Sequence, residues 1–188
     1  MLVFVTGCYL PQHDADELGT GKQPGDYFGD AGGDDDGPST VPDGSCANPG
    51  SSSVRVRVRT SPNGGKYAPR NIGAIWIEDG NGSFVHTLEL WATTRRRYLS
   101  RWLASSLSNT ADAVTGATLS DHMTHDRTWA LDGAARCQHQ VGSYRVVIEH
   151  TDFNGSGPTF EIPFTMGTPG TVTPADQAAF HDLLVELN

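Results

Sequence analysis

The chain has 188 residues, 37% hydrophobic and 19% charged, with a formal net charge of −9. That length holds one domain plus extra segments, and the chain has no overall basic excess of the kind nucleic-acid binding requires. The charge is uneven: nine of the 22 acidic residues lie in Pro11–Ser52 against the single Lys22, whereas the chain from Ser53 onward carries 13 acids and 12 bases.

In chain order, the apolar start running into Val5-Thr6-Gly7-Cys8 resembles the end of a signal peptide with a lipobox, which makes Cys8 the expected lipidation site (residues 1–8). Residues 9–52 are rich in Gly, Pro, Ser and Asp, including Gly32-Gly33-Asp34-Asp35-Asp36. They hold too little apolar surface to offset their conformational entropy, so a disordered acidic tether is expected. A lipid anchor with such a tether would hold the domain at a membrane outside the cytoplasm, in the periplasm or at the outer membrane. Cys46 and Cys137 then remain. In an oxidising compartment they form either a disulfide or two unpaired thiols.

Val54 to Arg59 alternates strictly, the pattern of a half-buried strand with a basic solvated face. Asn71 to Glu78 and Ser83 to Trp91 read as two strands joined by the turn Asp79-Gly80-Asn81-Gly82, with Phe84, Leu88 and Leu90 facing the core. Leu99, Trp102 and Leu103 fall at helical spacing, which predicts a short helix over Tyr98–Ser105. A polar loop over Ser106–Asp126 precedes strands at Arg127–Leu131, Ser143–Thr151 and Thr159–Met166. Thr173-Pro174-Ala175-Asp176 reads as a helix start, with Phe180, Leu183, Leu184 and Leu187 as an apolar stripe to the C-terminus. The expected fold is all-β: an immunoglobulin-like antiparallel β-sandwich over residues 53–188, with a short internal helix and a C-terminal helix.

Among chemistry-bearing residues, His122, His125, His139 and His150 invite a metal reading, and His122-x-x-His125 is its weak nucleus. Zinc needs three or four converging ligands, and a loop does not align positions i and i+3, so exposed loop histidines are expected instead. Arg95-Arg96-Arg97 with Arg101 forms a basic patch, read as a solvated face or as a site for anionic lipid or phosphate. The four tryptophans read as core. No Gly-x-Ser-x-Gly elbow, HExxH pair or Gly-rich nucleotide loop is present, so a hydrolase has no support.

Lys66-Tyr67-Ala68-Pro69-Arg70-Asn71, Trp76-Ile77-Glu78-Asp79, Phe84-Val85-His86-Thr87-Leu88, Tyr98-Leu99 with Trp102, Asp112 to Thr118 and Gly142-Ser143-Tyr144-Arg145 resemble one bacterial family of predicted periplasmic proteins, the domain of unknown function 2271. The resemblance runs from about Val54 to Gly167 and implies an extracytoplasmic β-rich domain. Asp112-Ala113-Val114-Thr115-Gly116-Ala117-Thr118 also resembles the acceptor motif of bacterial flavin transferases. By average residue frequencies, a chance match in this length is on the order of one in a thousand. That resemblance implies covalent FMN on Thr118 through a phosphoester. Asp112, Thr115, Gly116 and Ala117 form the segment the transferase recognises. The structural alternative is a turn in which Asp112 caps backbone amides. The expected function is a tethered flavoprotein that carries electrons to a periplasmic or membrane redox partner, without enzymatic turnover of its own. The alternative is a non-catalytic immunoglobulin-like binding module, with metal binding behind both.

Overall fold

The computed structural model describes residues 46–107 and 123–188, which fall within a single compact unit. Two four-stranded antiparallel sheets face each other. One has the order β4-β1-β8-β7, built from β1 (Ser53–Thr60), β4 (Thr124–Ala130), β7 (Gly170–Val172) and β8 (Phe180–Leu187). The other has the order β3-β2-β5-β6, built from β2 (Ile72–Asp79), β3 (Phe84–Leu90), β5 (Gly142–Thr151) and β6 (Thr159–Met166). The β-sandwich read from the strand pattern is therefore the fold.

The alternation of β1 sets the inner and outer faces of the first sheet. Val54, Val56 and Val58 are fully buried against Ile75, Ile77, Val146, Ile148 and Ile162 of the second sheet. Burial of each such side chain contributes roughly 1.5–3 kcal/mol. Arg55, Arg57 and Arg59 point the other way, where Asp126, Glu186 and Asp182 of the neighbouring strands pair with them.

β2 is buried on both faces because the second sheet is covered twice. Its even-numbered side chains Ile72, Ala74 and Trp76 face outward and are roofed by α1 (Ser100–Ser106), which lays Trp102 on them together with Leu99. A single 3₁₀ turn, Arg96–Tyr98, leads into α1. Leu99 offers α1 no side-chain cap, and Glu149 of β5 takes that role, accepting from the Arg101 and Trp102 amides at 3.3 and 2.9 Å. Unpaired first-turn amides and the positive end of the helix dipole favour a carboxylate there.

Three expectations change. β3 pairs with β2 through two register shifts, between Ile75 and Trp76 and between Ile77 and Glu78. These bulges break period two, so Leu88 enters the sandwich core while Phe84 and Leu90 join the outer cluster under α1. A short helix α2 (Gly133–Gln138), capped by Asp132 accepting from the Ala135 amide at 3.0 Å, was not legible in the sequence.

The third change is the C-terminal helix, which is β8, paired between β1 and β7. Asp182 lies at φ 52°, and the β1–β8 register slips beside it. The bulge puts Phe180 and Leu183 on the same side although they are three residues apart, after which Val185 and Leu187 follow at period two. An apolar spacing of three thus imitated a helix. Pro174 lies in the connection, where Asp176 accepts from the Asp182 amide at 3.0 Å.

Cys46 and Cys137 are joined by a disulfide, which fastens the stretch before β1 to α2. Gly50 lies in the same contact: its amide donates to Arg136 O at 2.9 Å, and a Cβ there would meet His139 O.

Candidate functional site

Two described regions border the segment that carries the acceptor-like motif. One is the end of α1 at Leu107; the other is the start of β4 after Met123. Asp112, Thr115, Gly116, Ala117, Thr118 and His122 lie outside the described residues, as does Cys8.

Leu107 closes α1 in the left-handed conformation, at φ 50°, with its amide donating to Leu103 O. A Leu in that conformation costs roughly 1–2 kcal/mol relative to an ordinary helical residue. Its side chain is also 88% exposed. It borders an open cavity of about 550 Å³ against Phe84 and the tip of the β2–β3 hairpin, with Ser83 and Ser105 among the lining residues. The hairpin tip is firm: Asp79 Oδ1 accepts from the Asn81 and Ser83 amides at 2.9 and 2.8 Å, and Gly82 takes φ 84°.

Ser105, which lines the cavity, is hydrogen-bonded to the buried carboxylate of Glu78. It accepts from Trp76 Nε1 at 2.9 Å, Ser105 Oγ at 2.8 Å and Arg145 Nε at 2.8 Å. Burial raises the Glu78 carboxyl, but those three hydrogen bonds and the Arg145 charge outweigh it and leave the group below the usual range. Glu149 is the contrast: burial dominates its two amide hydrogen bonds and holds it above the usual range. One carboxylate at each end of α1 therefore pins the helix to the sheet.

At the other border, β4 runs along the open side of β3. His125, Arg127 and Trp129 sit opposite Val58, Val56 and Val54 in register, so they share the inward face of the first sheet. Glu89 of β3 meets them: His125 Nδ1 lies 3.1 Å from Glu89 Oε2, and Arg127 donates to Oε1 at 2.8 Å. Burial pushes the Glu89 carboxyl up, yet His125 and Arg127 together hold it below the usual range. The His125 ring stacks on Trp91 at 3.9 Å, and Trp91 Nε1 donates to Asn71 Oδ1 at 2.8 Å. Gly73 makes room for this indole, since a Cβ there would fall 2.1 Å from Trp91 Cζ2. Further along, the Trp129 ring stacks on His86 at 4.7 Å and meets His139 edge-on at 4.8 Å.

The histidine expectation changes here. His125 is a buried strand residue, because β4 begins three residues earlier than the apolar pattern indicated. His150 is buried in β5, edge-on to Phe180 at 5.3 Å. Among the described residues no group of three or more His, Cys, Asp or Glu is arranged to hold a metal ion. Trp76, Trp91 and Trp102 are buried and Trp129 is half-buried. Arg101 pairs with Glu161 at 2.7 Å, which removes it from the basic patch, whereas Arg95, Arg96 and Arg97 make no ion pair with a carboxylate among the described residues.

The model of the family described as predicted periplasmic protein, DUF2271, matches residues 53–182, from the first strand into the last. The chain belongs to this family. Its membership places the domain outside the cytoplasm, a compartment in which the Cys46–Cys137 disulfide is stable. Comparisons with curated proteins and with solved structures returned no match. No helix among the described residues is long and apolar enough to cross a membrane.

The Glu89–His125–Arg127 cluster was missed in the sequence because its members lie 36 and 38 residues apart on different strands. The Leu107 cavity was missed because it depends on where α1 stops relative to the hairpin. Neither leaves a spacing signal.

Proposed function

We propose that this DUF2271 domain is an extracytoplasmic flavoprotein, with FMN joined to Thr118 and Asp112, Thr115, Gly116 and Ala117 serving as the recognition segment for a flavin transferase. The observation that carries the reading is the cavity at Leu107, five residues before Asp112. Its volume of about 550 Å³ lies within the range of small-molecule sites. Its lining suits a flat ring system with apolar faces and a polar rim: Phe84 and Leu107 offer apolar surface, and the Ser83 and Ser105 hydroxyls offer hydrogen bonds. The Ser105 hydroxyl donates to Glu78, so its oxygen lone pairs remain to accept. Ring contact would also explain an exposed Leu in a strained conformation.

A bound flavin supplies one- and two-electron redox chemistry. The protein's own part would be to shield one side of the ring with Phe84 and Leu107, and to keep the wall rigid through the Glu78 hydrogen bonds. Lipidation of Cys8 and the acidic segment at residues 9–52 would tether the carrier to a membrane, within reach of a periplasmic or membrane-bound redox partner.

Intact-mass measurement of the exported chain, co-expressed with a bacterial flavin transferase, tests the reading. The expected result is a gain of one FMN moiety that Thr118→Ala abolishes. Leu107→Asp should keep the added mass but raise quenching of flavin fluorescence by iodide. An unmodified chain, with the transferase shown active on another acceptor, would overturn the reading and leave a non-catalytic binding module in its place.

A further inference from the structure

The cations of this domain divide into two populations. On the strands and α1, Arg55, Arg57, Arg59, Arg101, Arg127 and Arg145 each pair with a carboxylate. Six cations make no such pair among the described residues: half-buried Arg136 of α2 donates instead to Gly50 O at 3.0 Å, and the other five, Lys66, Arg70, Arg95, Arg96 and Arg97, fall in two connecting segments, 61–71 and 91–99. Those segments contain no acidic residue.

Hydrogen bonds bring both segments together around the end of β5. The Tyr67 amide donates to Asp152 O at 2.9 Å, and Arg95 donates to Phe153 O at 2.6 Å. The one acid on this third segment, Asp152, is fully buried, with Oδ2 accepting from the Asn63 amide at 2.8 Å. Among the described residues of these three segments, no exposed acid therefore offsets the cations.

The cations alternate with phenol rings. Lys66 Nζ lies 4.9 Å from the Tyr67 ring centre, and the Arg95 guanidinium lies 3.9 Å from that ring and 5.9 Å from Tyr98. The Arg97 guanidinium lies 4.8 Å from Tyr98. Arg95 is the strut, with its Nε out of contact with water between the rings. Lys66, Arg70 and Arg97 are exposed. The neighbouring Lys66, with help from Asn154 and the Arg95 charge, holds the Tyr67 phenol below its ordinary range, as expected in a positive field.

We propose that this face, Lys66 to Arg70 with Arg95 to Tyr98, docks the domain onto an anionic phospholipid surface. Phosphate headgroups neutralise cations that no carboxylate serves, and tyrosines set between cations have the amphipathic character of residues at a bilayer interface. A periplasmic domain has phospholipid within reach, and this attachment is independent of any acyl anchor. The segregation of unpaired charge also lets a chain of net charge −9 bind an anionic surface, because a local patch rather than the net charge meets the membrane.

The test uses the full chain carrying Cys8→Ser, so that no acyl group contributes, in co-sedimentation with phosphatidylcholine vesicles with and without phosphatidylglycerol. Binding is expected only with phosphatidylglycerol, and high salt should release it. Each cation at such a surface raises partitioning about five-fold, so Lys66→Ala/Arg96→Ala/Arg97→Ala should lower it about 100-fold. Arg59→Ala, which removes a paired arginine on β1, should leave it unchanged. If the triple variant fails to fold by circular dichroism, Arg96→Gln alone should lower partitioning about five-fold. Equal binding to both vesicle types, no binding to either, or full binding by a folded triple variant would overturn the proposal. So would binding to heparin but not to vesicles, since the patch would then serve a soluble polyanion.

Discussion

Replacing both Cys46 and Cys137 with Ser opens a covalent loop whose ends are 91 residues apart. In the chain-entropy account, cross-linking a loop of that length removes about 15 cal/mol/K from the unfolded ensemble, or about 4–5 kcal/mol at room temperature. The structure adds little to offset this, because the contacts beside the bond survive the substitution: the Gly50 amide still reaches Arg136 O at 2.9 Å, and Arg136 Nε still reaches Gly50 O at 3.0 Å. A domain of this size is stable by about 5–15 kcal/mol, so the double variant should fold but lose a large share of its margin. Urea titration followed by tryptophan fluorescence measures the difference, with a steeper denaturant slope as the variant's unfolded state expands. A loss under about 1 kcal/mol would refute the reasoning, because the unfolded chain would then already be confined over that stretch without the bond.

Glu149→Gln separates burial from pairing. Glu149 is held above the ordinary value of 4.5, so its contribution to stability is fully present below that value and is lost as pH rises through the raised one. Urea midpoints at about pH 4 and about pH 8 should show the wild type losing ground to the Gln variant as pH rises; a flat or opposite trend would contradict the burial argument. Glu89→Gln should behave in the reverse sense. Glu89 lies below its ordinary value, so the stability it contributes is present above 4.5 and is lost as pH falls. Removing it should cost about 1–3 kcal/mol at neutral pH, since buried His125 and half-exposed Arg127 lose their shared acceptor, and the cost should shrink in acid. Asp182→Val should lower the thermal midpoint, because a β-branched residue at φ 52° costs roughly 1–2 kcal/mol, whereas Asp182→Gly should stay within about 1 kcal/mol of wild type. Equal midpoints for the two variants would mean the bulge is not needed.

The sequence by itself determined which segments pair as strands where period two is unbroken. Val54 to Arg59 stated its own inward and outward faces, and the Asp79–Gly82 turn announced its hairpin, because both signals are local. The short helix was legible for the same reason: Leu99, Trp102 and Leu103 must share a face. Cys46 and Cys137 could be named but not joined, since their proximity depends on α2, whose six residues carry too few apolar positions to register. The tertiary structure alone decided the rest. At the C-terminus, Phe180, Leu183, Leu184 and Leu187 satisfy a helix and a bulged strand equally well, and the open edges of β1 and β7 chose the strand by supplying its hydrogen bonds. The same holds for the candidate site. Glu89 meets His125, and the cavity opens beside Leu107, because two edge strands and a hairpin tip are brought together across long separations. A charge pattern can show Arg95-Arg96-Arg97, but only the folded domain shows which arginines have found a carboxylate and which have not.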